Sequence, residues 1–195
     1  AAERAALRID ALARDRQLHV AGGRIAVERE LFDRGRADED ASAHQHANRA
    51  ALILDRAKAQ SLGDISGLAG VAMGITGLMR SLPLQRRRGQ CYVPADLLAK
   101  HGLTPAHLLS GREPATIAKV LAELRAHAAK RLNEARALAA SLNGQVIPAY
   151  LPASLTDLYL GRLAKLGAGA LTEVADIAQW RRQWTLYRKA RAQTL

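Results

Sequence analysis

Aromatic residues are scarce in this chain, with one Phe, two Trp and four Tyr among 195 residues. They do not interleave with the basic residues, which argues against a stacking platform for single-stranded nucleic acid. The single cysteine, Cys91, excludes an internal disulfide framework and a thiolate metal cluster. No run of about 18 apolar residues suggests a spanning helix, and no secretory leader precedes the first helical stretch. Acidic residues are outnumbered, 18 against 29 Lys and Arg, which leaves a formal charge of +11. Such an excess invites a nucleic-acid reading, yet no DNA- or RNA-binding motif accompanies it. Prenyl diphosphates, anionic lipid headgroups or an acidic protein partner suit the same charge, so nucleic acid ranks behind these three.

Alanine and leucine are abundant, and both favour helices. The length fits one domain with a real core. The stretches Ala2–Leu18 and Ser42–Leu62 read as helices, the second with Leu52, Ile53 and Leu54 as its strong apolar cluster. Asp64 is expected to cap a helix over Ile65–Leu82 that Pro83 ends. Gly67, Gly70, Gly74 and Gly77 in that helix imply close packing or room for a ligand. Thr104 and Pro105 start a short helix that stops near Gly111. Across Pro114–Leu142, apolar residues Ile117, Leu121, Leu124, Ala128, Leu132, Ala135, Leu138 and Leu142 recur at threes and fours, and Asn143–Gly144 is the stop. Pro148 and Pro152 make a bend, a helix follows over Ser154–Leu166, and Thr172 is expected to cap the last helix, which runs to about Ala192. No strand or repeat stands out, so the expected class is all-α.

The most informative segment is Gly74–Pro94, GITGLMRSLPLQRRRGQCYVP. It resembles the squalene/phytoene synthase helix that reads roughly Q-L-T-N-I-L-R-D-x-x-E-D, then a basic stretch, then G-R-x-Y-L-P. Thr76, Leu78, Arg80, Arg88, Gly89, Tyr92 and Pro94 fall in frame. Ser81, Leu84 and Gln85 stand where the three carboxylates would be, and Gly74 and Gly77 replace Gln and Asn. The resemblance continues through Cys91–Leu103 and through Ile147–Leu160, IPAYLPASLTDLYL. The stretch Ala178–Lys189, AQWRRQWTLYRK, fits best the branch of complex I assembly factors and their bacterial relatives, which share the fold without the complete aspartate motifs. Residues 64–195 carry the resemblance, whereas 17–60 find no counterpart. Arg8–Arg16 resembles a helix that normally follows a first D-x-x-x-D motif, and no two acids four apart occur in residues 1–70.

What the resemblance implies is an isoprenoid-synthase-type helical bundle over residues 1–195, with the N-terminal helices of that bundle absent from the chain. Family enzymes ionise prenyl diphosphates with Mg²⁺, a hard cation held by carboxylate and water oxygens. A D-x-x-E-D run works because residues three and four apart share a helix face. Ser81, Leu84 and Gln85 supply no anionic ligand, so no metal, cofactor or catalytic residue is assigned; Mg²⁺ enters only if the chain is an enzyme. Arg80, Arg88 and Tyr92 are the positions carried over for binding diphosphate, since guanidinium groups grip phosphates without a metal. The plainer reading of Arg86, Arg87 and Arg88 is a solvated basic loop.

The remaining polar residues point to structure rather than chemistry. His44, His46 and Asp40 are read as surface residues, because histidines two apart face different ways on a helix. His101, His107 and His127 are scattered, and Cys91 has no His/Asp companions to make it a nucleophile. Trp180, Trp184 and Tyr187 fall on one helix face amid Arg181, Arg182, Arg188, Lys189 and Arg191. A core stripe is the expectation, and an interfacial membrane helix is the alternative.

Two functions follow. The first is a non-catalytic family member that binds an isoprenoid or lipid, or that assists assembly of a respiratory complex through a protein partner. Its expected location is cytoplasmic, extending to a peripheral position on the inner membrane. The alternative is an active head-to-head prenyl diphosphate transferase making phytoene or squalene. A basic DNA-binding helical protein has charge alone in its favour.

Overall fold

The computed structural model describes residues 62–140 and 146–195. Among them every regular element is a helix, so the all-α expectation holds there. Helix α1 is Gly63–Arg80, α2 is Leu82–Arg87, α3 is Ala95–Lys100, α4 is Pro105–Ser110 and α5 is Pro114–Ala139. A 3₁₀ segment, Ile147–Leu155, leads into α6, Thr156–Leu166; a second, Gly167–Leu171, precedes α7, Gln179–Ala192. The expected helix over Ala2–Leu18, nearly all of Ser42–Leu62, and the residues Asp40, His44, His46, Leu142, Asn143 and Gly144 lie outside the described residues.

The centre of the fold is the packing of α1 on α5. Ile65, Ser66, Ala69, Ala72, Ile75, Thr76 and Met79 recur at threes and fours and form the buried face of α1. Small residues at Ser66, Ala69 and Ala72 let the facing helix come close. On α5 the expected stripe is buried from Ile117 through Leu124 and Ala128 to Leu132 and Ala135. Leu138, placed in that stripe by its spacing, is 45% exposed instead. Two apolar clusters result. One gathers Met79, Leu82, Val93, Leu98, Leu108, Leu121 and Leu163 around the C-terminal end of α1. The other gathers Ile65, Ala69, Leu132, Ala135, Val146, Tyr150 and Leu195 around its N-terminal end.

One buried polar pair ties α1 to the 3₁₀ segment. The Tyr150 hydroxyl, on the 3₁₀ segment, lies 2.9 Å from Ser66 Oγ on α1. Burial pushes the Tyr150 phenol above its ordinary value, and the Ser66 hydrogen bond partly offsets this. At the surface, Arg136 of α5 reaches Asp157 of α6 at 2.6 Å, and Arg162 pairs with Glu173. Lys100 and His101 both converge on Glu123 of α5, at 2.7 and 3.0 Å.

Several element boundaries differ from expectation. Leu62, not Asp64, occupies the N-cap of α1; Asp64 sits in the first turn, where the helix dipole favours an anion. The helix does not run to Pro83. It breaks at Ser81, and Pro83 lies in the first turn of α2, a position that needs no amide hydrogen. Arg86 and Arg87 are therefore helical rather than loop residues. The helix expected to start at Ser154 starts at Thr156, because Pro148 and Pro152 lie in a 3₁₀ turn. Thr172 does not cap the last helix. Its hydroxyl donates to the Gly169 carbonyl, and α7 starts seven residues later at Gln179. Thr104 does cap α4, accepting from the His107 amide at 3.3 Å, and Gly111 closes that helix with φ of 72°. The left-handed turn favours glycine at Gly111, and a Cβ there would stand 3.2 Å from Arg86 Nη2, which would have to shift slightly.

Candidate functional site

The segment Leu78–Tyr92 is where α1 hands over to α2 and then to the basic stretch. The break at Ser81 arises locally. Ser81 Oγ donates to the Leu78 carbonyl at 2.9 Å, a bond that competes with the helical ladder. Four residues on, Gln85 lies on the same face. Its Nε2 donates to that same Leu78 carbonyl at 2.9 Å and to Ser81 Oγ at 2.6 Å. The two polar side chains close on each other and on the backbone. Gln85 is buried, and its Oε1 has no hydrogen-bond partner. Leu84, the third position of the trio, points outward and is 47% exposed.

This arrangement does not fit Mg²⁺. The ion wants several charged or carbonyl oxygens around an open, hydrated position. Here one hydroxyl already donates to a carbonyl, one amide directs its nitrogen inward, and one side chain is a hydrocarbon. Among the described residues no three His, Cys, Asp or Glu side chains gather into a group that could hold a metal ion.

The basic residues divide into two kinds. Arg80, at the end of α1, turns toward α6 and the segment before α7. Its guanidinium carbon lies 3.8 Å from the centre of the Tyr159 ring, and its Nε donates to the Ala175 carbonyl at 3.3 Å. Arg86 is likewise committed, donating to the Leu109 and Ser110 carbonyls at 2.8 and 3.0 Å and so capping α4. Arg87 and Arg88 are exposed. Arg88 caps α2, Gly89 follows with φ of 66°, and Tyr92 is half-buried just beyond. No hydrogen bond joins Arg80, Arg88 and Tyr92 to one another. Spacing could have revealed the Ser81–Gln85 pair, which is an i, i+4 relation. The partners of Arg80 could not be read this way, since Tyr159 and Ala175 are 79 and 95 positions away.

The frame of this segment has counterparts elsewhere. The squalene/phytoene synthase family profile matches residues 49–188. The chain belongs to the squalene/phytoene synthase family. Its all-α architecture is that family's isoprenoid-synthase fold. Two curated relatives carry the description NADH dehydrogenase (ubiquinone) complex I, assembly factor 6. The mouse (Mus musculus) protein is 25% identical over 97 residues, and the rat (Rattus norvegicus) protein is 24% identical over the same length. Each alignment covers 50% of this chain and 29% of the relative, so the chain spans under a third of the curated relatives it matches. No solved structure matches the chain.

The other polar candidates keep to the margins of this site. His101 serves the Glu123 cluster, and the His107 amide caps α4. Cys91 is half-buried, and its Sγ lies 4.0 Å from the Val93 carbonyl. Trp180, Trp184 and Tyr187 are not core residues: they are 66%, 56% and 54% exposed. The face of α7 that meets the body carries Arg182, Leu186 and Lys189 instead, which is why the aromatic stripe turns outward.

Proposed function

We propose that this protein is a non-catalytic member of the squalene/phytoene synthase family, in one domain, that acts as an assembly-type factor for a respiratory complex. The observation that carries the reading is the closed Ser81–Gln85 pair on the Leu78 carbonyl. It occupies the place where the family's chemistry needs carboxylates, and its donors turn to each other and to the Leu78 carbonyl rather than to a metal's ligand shell. The mouse and rat relatives, named for complex I assembly, support the direction. On this reading the working partner is a protein of that complex, and the location is peripheral to the membrane that houses it. Among the described residues no helix is long and apolar enough to cross a membrane. Binding of an isoprenoid diphosphate belongs to the same proposal, with the exposed Arg87 and Arg88 as cations that need no metal and Tyr92 close to them in the chain; Arg80 is held instead by Tyr159 and the Ala175 carbonyl.

Isothermal titration with farnesyl and geranylgeranyl diphosphate, with and without Mg²⁺, tests it. Product extraction follows each titration. The expected result is metal-independent binding, or none, and no hydrocarbon product. Mg²⁺-dependent binding with formation of squalene or phytoene would restore a head-to-head transferase and overturn the reading. Unchanged affinity in Arg80→Ala plus Arg88→Ala would remove both arginines from the anion site.

A further inference from the structure

Both tryptophans of the chain, and one of its four tyrosines, lie on one exposed face of α7. A stripe of that kind normally lies in a core, and exposing it removes favourable burial of large apolar area. Trp184 and Tyr187 stack with ring centres 5.8 Å apart. With Trp180 and Gln183 they line a shallow, open cleft of about 660 Å³. Successive residues on a helix turn by about 100°, so Arg181, Arg188 and Arg191 border this stripe. Arg191 Nη1 donates to the Tyr187 hydroxyl at 3.4 Å, and the Arg181 guanidinium lies 5.9 Å from the Trp180 ring centre. The other two cations of the helix face inward: Lys189 donates to the Leu195 carbonyl at 2.8 Å, and Arg182 Nη1 reaches the Tyr159 hydroxyl at 3.5 Å. From Ala178 to Leu195 there is no acidic residue.

The geometry points to α7 as a monolayer-docking helix that lies flat on an anionic lipid surface. Indole and phenol rings favour the headgroup boundary, where one edge is apolar and the other wet. Flanking guanidinium groups then meet lipid phosphates, each arginine strengthening binding roughly fivefold. Charge selects this occupant. A second copy of the chain would bring Arg181, Arg188 and Arg191 against their own counterparts, with +11 on each molecule, and like charges across an interface oppose association. The 14 residues of α7 span about 21 Å, too short to cross a bilayer. The inference needs no prenyl-transfer chemistry and stands apart from the assembly role.

Because both tryptophans sit on this face, intrinsic fluorescence reports on it alone. The test is titration of the full chain with vesicles of phosphatidylcholine, and with vesicles containing about a third phosphatidylglycerol, read by Trp emission and by flotation. The expected result is a blue shift and co-flotation with the anionic vesicles only, reversed by high salt. Trp180→Ala plus Trp184→Ala should weaken flotation at least about tenfold, and Arg181→Gln, Arg188→Gln and Arg191→Gln together by about a hundredfold, with the melting temperature unchanged. Four outcomes would overturn the proposal. No blue shift or flotation would do so, as would flotation indifferent to both variants, because another surface then binds the lipid. Loss of fold in the Trp variant would show the stripe covered within the molecule. Dimerisation or capture of an acidic protein that survives excess vesicles would assign the face to a protein partner.

Discussion

Arg80 is the residue on which a structural role and a ligand-binding role separate most cleanly. Replacing it by methionine keeps the apolar stem and removes the guanidinium. Two interactions go with it. The hydrogen bond from charged Nε to the Ala175 carbonyl, at 3.3 Å, is long and contributes about 1.5 kcal/mol, the low end for a charged donor. The stacking over Tyr159 at 3.8 Å is close, and a partly desolvated cation–π contact contributes about 1 kcal/mol. The substitution should therefore destabilise the fold by roughly 2 to 3 kcal/mol, lowering the melting temperature by about 4 to 12 °C. A thermodynamic cycle with Tyr159→Leu should return a coupling of about 1 kcal/mol. Arg88→Ala, at an exposed helix end, should stay within about 0.5 kcal/mol of the parent. Urea melts and calorimetry read the parent, the two single variants of the cycle, their double variant and Arg88→Ala. If Arg80→Met melts like the parent while losing affinity for a prenyl diphosphate, Arg80 is a free ligand-binding group and the reasoning fails.

Other expectations follow from the same contacts. Gln85→Met removes the buried, unpartnered Oε1 together with its amide and should be close to neutral in urea, whereas Gln85→Glu buries a carboxylate, should lose about 2 kcal/mol at pH 7, and should regain stability as pH falls and the acid becomes neutral. Equal stability of the two variants at pH 7 would contradict the burial argument. Gly77→Ala meets nothing within 4 Å at an exposed helical position, so denaturation should show a gain of roughly 0.5 to 1 kcal/mol. Tyr150→Phe should lose about 1 kcal/mol, since Ser66 is left buried without its partner. The same variant should abolish the loss of stability as pH rises above 10.0, because the parent's phenol is held above that value in the folded state and ionises first in the unfolded one. Glu123 has the opposite sign: hydrogen bonds from Lys100 and then His101 hold its carboxyl below 4.5. Its contribution is present above that pH and fades as pH falls through the lower folded value, and Glu123→Gln should flatten this acid limb.

Much of the candidate site was legible in the chain itself. The family frame from Thr76 to Pro94, the missing acids at Ser81, Leu84 and Gln85, and the long apolar stripe of α5 all rest on spacing along a helix. Such relations are local, and sequence carries them directly. The same is true of the Thr104 cap and the Gly111 stop. Some local readings failed for local reasons: Pro83 tolerates the first turn of a new helix as well as it ends an old one, and Thr172 found a nearer carbonyl at Gly169.

Two features were decided only by tertiary structure. Whether Arg80 faces a ligand or Tyr159 depends on how α6 packs beside α1, a contact between residues 79 positions apart. Whether Trp180, Trp184 and Tyr187 form a core or a surface depends on which side of α7 meets the body, and an amphipathic helix with apolar residues on both sides leaves that choice to its neighbours. The chemistry available was fixed by residue type and spacing; its direction in space was fixed by packing.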